Sequence, residues 1–354
     1  MLTRHSFKSN AVKSNSIKST SIKSTPAKSA GLLLAGLAAV GAFIASVMLG
    51  STDIAWPSLW AALNHYDPSQ VAHIILFTER LPRAVIAALV GASLAMAGVL
   101  MQTMTRNPLA SPGILGLNAG AMFFVVVAVS LLPLHTPAHY VWAALLGAFV
   151  AAVLVVLLSR GRHGELSPLR VVLAGVAVTA MFVSFSQGLL VIDQQNFESV
   201  LYWLAGSVSG RELSLVVPLL PLFGGALLLS ALLVRHANAL LLGDEMVTGL
   251  GMQATTIKLL LGLVVIVLAG GAVALAGMIG FVGLIVPHMA RGIFGIDHRW
   301  LLPASALLGA CLLLLADVAS RLVMPPQEIP VGVMTALIGT PFFIYLARRK
   351  MASQ

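Results

Sequence analysis

Of the 354 residues, 58% are hydrophobic and only 9% are charged, and the mean hydropathy is +0.97. That balance excludes the ordinary soluble classes and describes a chain that crosses a membrane several times. The net charge of +9 does not point to nucleic acid, because Lys8, Lys13, Lys18, Lys23 and Lys28 crowd the first thirty residues and the body carries its charges sparsely; Cys311, the single cysteine, excludes an intrachain disulfide and a thiol metal cluster.

Residues 8–30 repeat a five-residue unit, KSNAV, KSNSI, KSTSI, KSTPA, with no apolar face to bury. Residues 1–29 are therefore predicted to be a disordered basic cytoplasmic tail, free to touch anionic lipid. The apolar run at 30–50 follows without a small-residue cleavage site, so it reads as a retained first span. Ser51 to Glu79 is polar, with Trp56, Trp60 and Tyr66 suited to a membrane interface.

Next comes Arg80-Leu-Pro-Arg83, and then no ionisable residue from Ala84 to Thr105. Proline is tolerated in a first helical turn, and about 20 apolar residues cross the hydrocarbon layer. Gly91, Ala95 and Gly98 form a small-residue stripe on this helix, predicted to be a packing face. Arg106-Asn107-Pro108 stops it. Further apolar blocks fall near 114–133, 139–158, 169–192, 213–234, 256–277, 279–296, 300–323 and 331–347, giving about ten transmembrane helices in an all-α polytopic protein.

Ten spans put both termini on one side. With that side cytoplasmic, all of the 21 Lys+Arg except Arg80, Arg83, Arg211 and Arg321 lie inside, as the positive-inside bias requires. There is no GxxxxGK[ST] loop, HExxH or GxSxG, so the chain lacks the means to grip nucleotide as a P-loop ATPase does, and a metallopeptidase or hydrolase reading has no support. The scattered histidines form no ligand set.

Between the sixth and seventh spans, residues 236–257 are predicted to fold as two short amphipathic helices broken at glycines. Asp244 and Glu245 suit the first turn of the second helix, which runs through Gly249, Leu250 and Gly251 after Gly243. Gly270, Gly271, Gly277, Gly280 and Gly283 punctuate GGAVALAGMIGFVGLIVPHMAR, as either a close-packed helix pair or a hinge. Asp317 and Arg321 stand four apart, acid before base, which favours an intrahelical ion pair.

RLPR, GASLAMAGVLMQ, RNPLASPGILGLNAGA, GMIGFVGLIVPHMAR and ADVASR resemble the FecCD-type permease subunits of type II ABC importers for iron-siderophore complexes, haem and cobalamin. The resemblance covers nearly all of the chain beyond the tail. It implies a bacterial inner-membrane transport subunit, with no enzyme activity and no cofactor of its own. The implied partners are a dimeric ABC ATPase, a periplasmic or lipid-anchored substrate-binding protein, and a second permease copy or related permease. It implies that Arg80, Arg83 and Arg321 face glutamates of the binding protein, and that Gly243, Asp244, Glu245, Gly249, Leu250 and Gly251 belong to the loop that docks on the ATPase. Thr248 stands where the family has a small residue. Glu165, Ser167 and Leu169 fall near the inner gate, and the segment from Arg170 to Gly210, with Tyr202, Trp203 and Gly206, borders the pathway. Ferric siderophore is the expected cargo, with haem or cobalamin the alternatives. An ion-coupled carrier is the rival class; it calls for carboxylates at mid-membrane, and Asp317 is the one carboxylate well inside a predicted span.

Overall fold

The computed structural model describes residues 25–50, 54–132, 136–161, 167–192, 197–325 and 327–351. Residues 1–24 of the repetitive stretch and the gate residue Glu165 lie outside them, whereas residues 25–29, expected in a disordered tail, instead form the first turn of α1. The described residues are built from helices: α1 (Thr25–Met48), α2 (Trp56–Asn64), α3 (Val71–Ile75), α4 (Leu81–Thr105), α5 (Leu117–Ser130), α6 (Pro137–Ser159), α7 (Pro168–Ile192), α8 (Phe197–Leu204), α9 (Leu220–Leu232), α10 (Val234–Leu240), α11 (Asp244–Gly249), α12 (Ala254–Ala276), α13 (Val282–Phe294), α14 (His298–Leu322) and α15 (Val331–Met351). Among the described residues seven helical segments are long and apolar enough to cross a membrane, and three shorter apolar helices, at Leu117–Ser130, Val282–Phe294 and Val331–Tyr345, bring the number to the ten apolar blocks of the sequence.

The bundle is organised around α4. A π-helical turn at Leu76–Arg80 joins α3 to α4 in one continuous 35-residue segment, most of it buried. α14, α12 and α13 pack on it, α1 lies against α14, and α5, α6 and α7 form a second packed group reached through α12. Large apolar side chains such as Leu33, Leu37, Leu173, Val176 and Leu228 stay exposed on the outward faces. That pattern suits hydrocarbon as solvent, where helix association depends on close packing rather than on hiding apolar surface.

Glycines set the closest approaches. Gly91 of α4 meets the backbone of Gly309 in α14, and Gly98 meets that of Gly283 in α13. The sequence stripe thus serves two partner helices. The glycine-rich stretch after α12 also differs from a simple hairpin of two spans. α12 ends at Gly277 (φ 74°), the chain runs without regular structure to Phe281, a non-glycine residue at φ 66°, and only then starts the 13-residue α13. At 1.5 Å per residue α13 is about 20 Å long, too short to cross alone. It packs on α4 and α14 and makes no comparable packing with α12.

Candidate functional site

The three arginines singled out by the motifs converge at one end of α4. The π-helical turn carries Arg80, the first turn of α4 carries Arg83, and the last turn of α14 brings Arg321 alongside. They are only 4%, 7% and 3% exposed. Buried guanidinium groups require counter-charges and acceptors, and each of these has them.

Asp317, fully buried, supplies the centre: its Oδ1 accepts from Arg83 Nε at 2.7 Å and its Oδ2 from Arg321 Nη2 at 2.8 Å. The intrahelical pair expected from spacing is therefore present, but it uses one carboxylate oxygen, and the other holds α4. Arg80 Nη1 and Arg321 Nη1 both donate to the Leu49 carbonyl, at 2.6 and 2.9 Å, and Arg321 Nη2 reaches the Ser46 carbonyl at 3.0 Å. Those carbonyls close the C-terminal end of α1, where unpaired C=O groups and the negative end of the helix dipole favour cations.

Arg83 also donates through Nη1 to Glu328 Oε2 at 2.8 Å and to Ser209 Oγ at 3.3 Å. The Ser209 hydroxyl in turn donates to Glu328 at 3.0 Å. Partial burial works to raise the Glu328 pKa, but the Arg83 hydrogen bonds and charge outweigh it and hold the carboxyl below its usual range. Sequence reasoning brought the three arginines to one face; it missed Arg83–Asp317, Glu328 and Ser209. The available signal was Asp317 itself, since a carboxylate in an apolar helix must find more than one donor to satisfy both oxygens.

The opposite end of α4 meets the connection between α9 and α12. This connection holds two short helices, α10 and α11, separated by Gly243 at φ 105°, and it leaves α11 through Leu250 and Gly251 at φ 77°. Asp244 begins α11 and bonds two cations: Lys258 Nζ of α12 at 2.6 Å, and Arg106, which closes α4 in a left-handed conformation at φ 49°. Partial burial pushes the Asp244 pKa up, but Lys258 and Arg106 overcome it and hold it below the usual value. Glu245, Gly249 and Leu250 stand exposed around α11. The Thr248 hydroxyl donates to the Asp244 carbonyl at 2.9 Å, and the side chain stays exposed.

α10 is tied to the same region. Asn238 donates to Asp297 Oδ1 at 2.8 Å and accepts from the His298 backbone N–H at 2.9 Å, while His298 Nε2 lies 2.7 Å from Thr103 Oγ1 of α4. One open cavity of about 740 Å³ is bordered by Arg106, Gly243 and Glu245, and a second of about 960 Å³ lies between Ser167 and Pro168 on one side and Glu245, Thr248 and Lys258 on the other. Ser167 is thus brought beside α11, whereas Leu169 points outward from α7.

Among the described residues no cluster of His, Cys, Asp and Glu is placed to hold a metal ion; the helical bundle carries an ionic cluster at each end of α4. Its fold covers 91% of this chain and 99% of a solved metal-chelate type ABC transporter in an inward-facing conformation, at TM-score 0.75 and 29% identity. The probable siderophore transport system permease protein YfiZ of Bacillus subtilis is 47% identical over 87% of this chain and 92% of its own length. The iron(3+)-hydroxamate import system permease protein FhuB of the same organism is 43% identical over 88% and 80%. The FecCD transport family pattern matches residues 37–349, from the first span to the last, and this chain belongs to that family.

Proposed function

We propose that this chain is the membrane-spanning permease of an ATP-driven importer that carries a chelated iron complex of the siderophore class across the bacterial cytoplasmic membrane. The observation that carries the reading is the near full-length match to a siderophore permease at 47% identity. α10 and α11, with Gly243 to Gly251, form the surface for a separate ATPase on the cytoplasmic side, where both termini also lie. The end bearing Arg80, Arg83 and Arg321 receives a substrate-binding protein, and a second permease, identical or related, completes the pathway. In this reading ATPase closure pushes on α11, and the Asp244 pairs with Arg106 and Lys258 pass the movement to α4 and α12. A packed bundle with two discrete arrangements is the bistable element.

Growth and labelled-substrate uptake in a deletion strain test the cargo. Expression of this chain with its ATPase and binding protein is expected to restore uptake of a ferric siderophore; restoration of haem or cobalamin uptake alone overturns the assignment. Coupling is tested at Asp244. Asp244→Ala removes the partner of both cations, and a coupling free energy of the usual size is worth roughly tenfold. Uptake is therefore expected to fall by about that factor while the ATPase still co-purifies, and unchanged uptake would remove α11 from the transmission path.

A further inference from the structure

The ionic cluster at the Arg80 end is unevenly held. Asp317 is fully buried and takes two guanidinium groups, but Glu328, in the segment between α14 and α15, keeps 33% of its side chain exposed while bonding Arg83 through both oxygens, at 2.8 and 3.0 Å. Ser209, on the segment after α8, closes the third side of that contact. Arg83 thus joins three pieces of chain: the start of α4, the approach to α15 and the exit from α8.

Those last two pieces are also stitched together just below. The Gly332 N–H donates to the Gly206 carbonyl at 3.0 Å, and the Ser207 N–H to the Ala276 carbonyl, where α12 ends, at 2.8 Å. Gly206 is at φ 73° with its Cα face against the Met278 backbone, so no side chain fits there. Whatever alters the Glu328 contact therefore acts on the ends of α8, α12 and α15 together.

We propose that Glu328 is an internal occupant of the position an incoming carboxylate takes on Arg83, so that docking of an acidic partner displaces Glu328 and releases the α8 exit and the start of α15. This rests on the reading above, in which the partner is a substrate-binding protein with glutamates on its docking face. Exchange of one carboxylate for another conserves the charge around Arg83. Asp317 is locked by two buried pairs and stays; Glu328 is reached by water, so its attraction is screened and it is the group that leaves at least cost. Charges at such a rim set register and encounter more than tightness, which suits a partner that departs in each cycle.

The test uses the complete transporter in lipid nanodiscs, with the Kd for its binding protein and the ATPase rate measured together. Glu328→Gln keeps the shape and an acceptor oxygen but removes the competing charge. It is expected to tighten binding about five- to tenfold, and to raise ATP hydrolysis in the absence of binding protein. Ser209→Ala is expected to shift both in the same direction by less. Unchanged or weaker binding by both variants overturns the proposal. A binding protein whose docking-face glutamates are changed to glutamine separates the two ideas. If it binds as well as the native one, acidic docking itself fails; if only the native protein binds, yet Glu328→Gln and the unsubstituted transporter bind it equally, the docking reading stands and the displacement of Glu328 fails.

Discussion

Asp317→Asn is expected to destabilise the bundle by about 3–5 kcal/mol, the usual cost of removing one partner of a buried ion pair. The carboxylate is fully buried and engages Arg83 and Arg321 through different oxygens. Asparagine keeps the outline of the side chain but offers one acceptor and no charge, and its amide N–H₂ would face one of two guanidinium groups that are themselves buried. The damage is not confined to α14. Arg321 also holds the carbonyls of Ser46 and Leu49, and Ser46 Oγ lies 3.4 Å from Asp317 Oδ2, so the end of α1 is seated on the same group. Thermal unfolding in detergent is the measurement, with Glu328→Gln as the contrast. That change touches Arg83 from the half-exposed side and is expected to cost far less. Equal melting temperatures for Asp317→Asn and the unsubstituted chain would show that the cluster does not hold α1, α4 and α14 together.

This cluster also marks where reading the sequence stops. The ten apolar blocks, the stop at Arg106-Asn107-Pro108 and the two short helices around Gly243 follow from local rules: apolar length, proline geometry and glycine breaks. So does Asp317–Arg321, which is four residues apart on one helix. Arg83–Asp317 spans 234 positions and Arg83–Glu328 spans 245; no periodicity encodes which helix faces which. Arg80, Arg83 and Arg321, read from the resemblance as docking residues, are each buried and each held by an internal acceptor that no local rule names.

The stretch after α12 shows a second kind of limit. Its glycine density was visible, but a close-packed pair and a hinge read alike from composition. The outcome depended on Gly283 finding Gly98 in α4 and on Gly277 and Gly206 taking positive φ where their backbones cross. At the opposite end of α4, the acids of α11 were expected to serve its first turn. Asp244 does stand there, but its partners are Lys258 and Arg106, two cations delivered by the ends of other helices.

Gly98→Ala is expected to be among the most damaging single-methyl additions in the chain. An ideal Cβ at 98 would lie 2.6 Å from both the carbonyl carbon and the Cα of Gly283, with the Gly283 oxygen closer still. The obstacle is backbone, which has no rotamer to change, so α13 must move away from α4. Overpacking of a tight interior typically costs about 1–3 kcal/mol, and more when backbone must shift. Here the shift carries other bonds with it. Gln102, one turn further along α4, donates to the Gly283 carbonyl at 3.3 Å and accepts from Arg291 of α13. Separating the helices leaves both groups unmet in a buried setting, a further cost of about 1–3 kcal/mol. Gly262→Ala in α12 is the matched control: the nearest atom there is the flexible Met104 Cε at 3.5 Å, an ordinary van der Waals distance. The control is expected to retain the yield, melting temperature and uptake of the unsubstituted transporter, while Gly98→Ala loses folded protein. If the two variants behave alike, α13 does not sit on α4 at Gly98, and the stripe of Gly91, Ala95 and Gly98 serves one neighbouring helix rather than two.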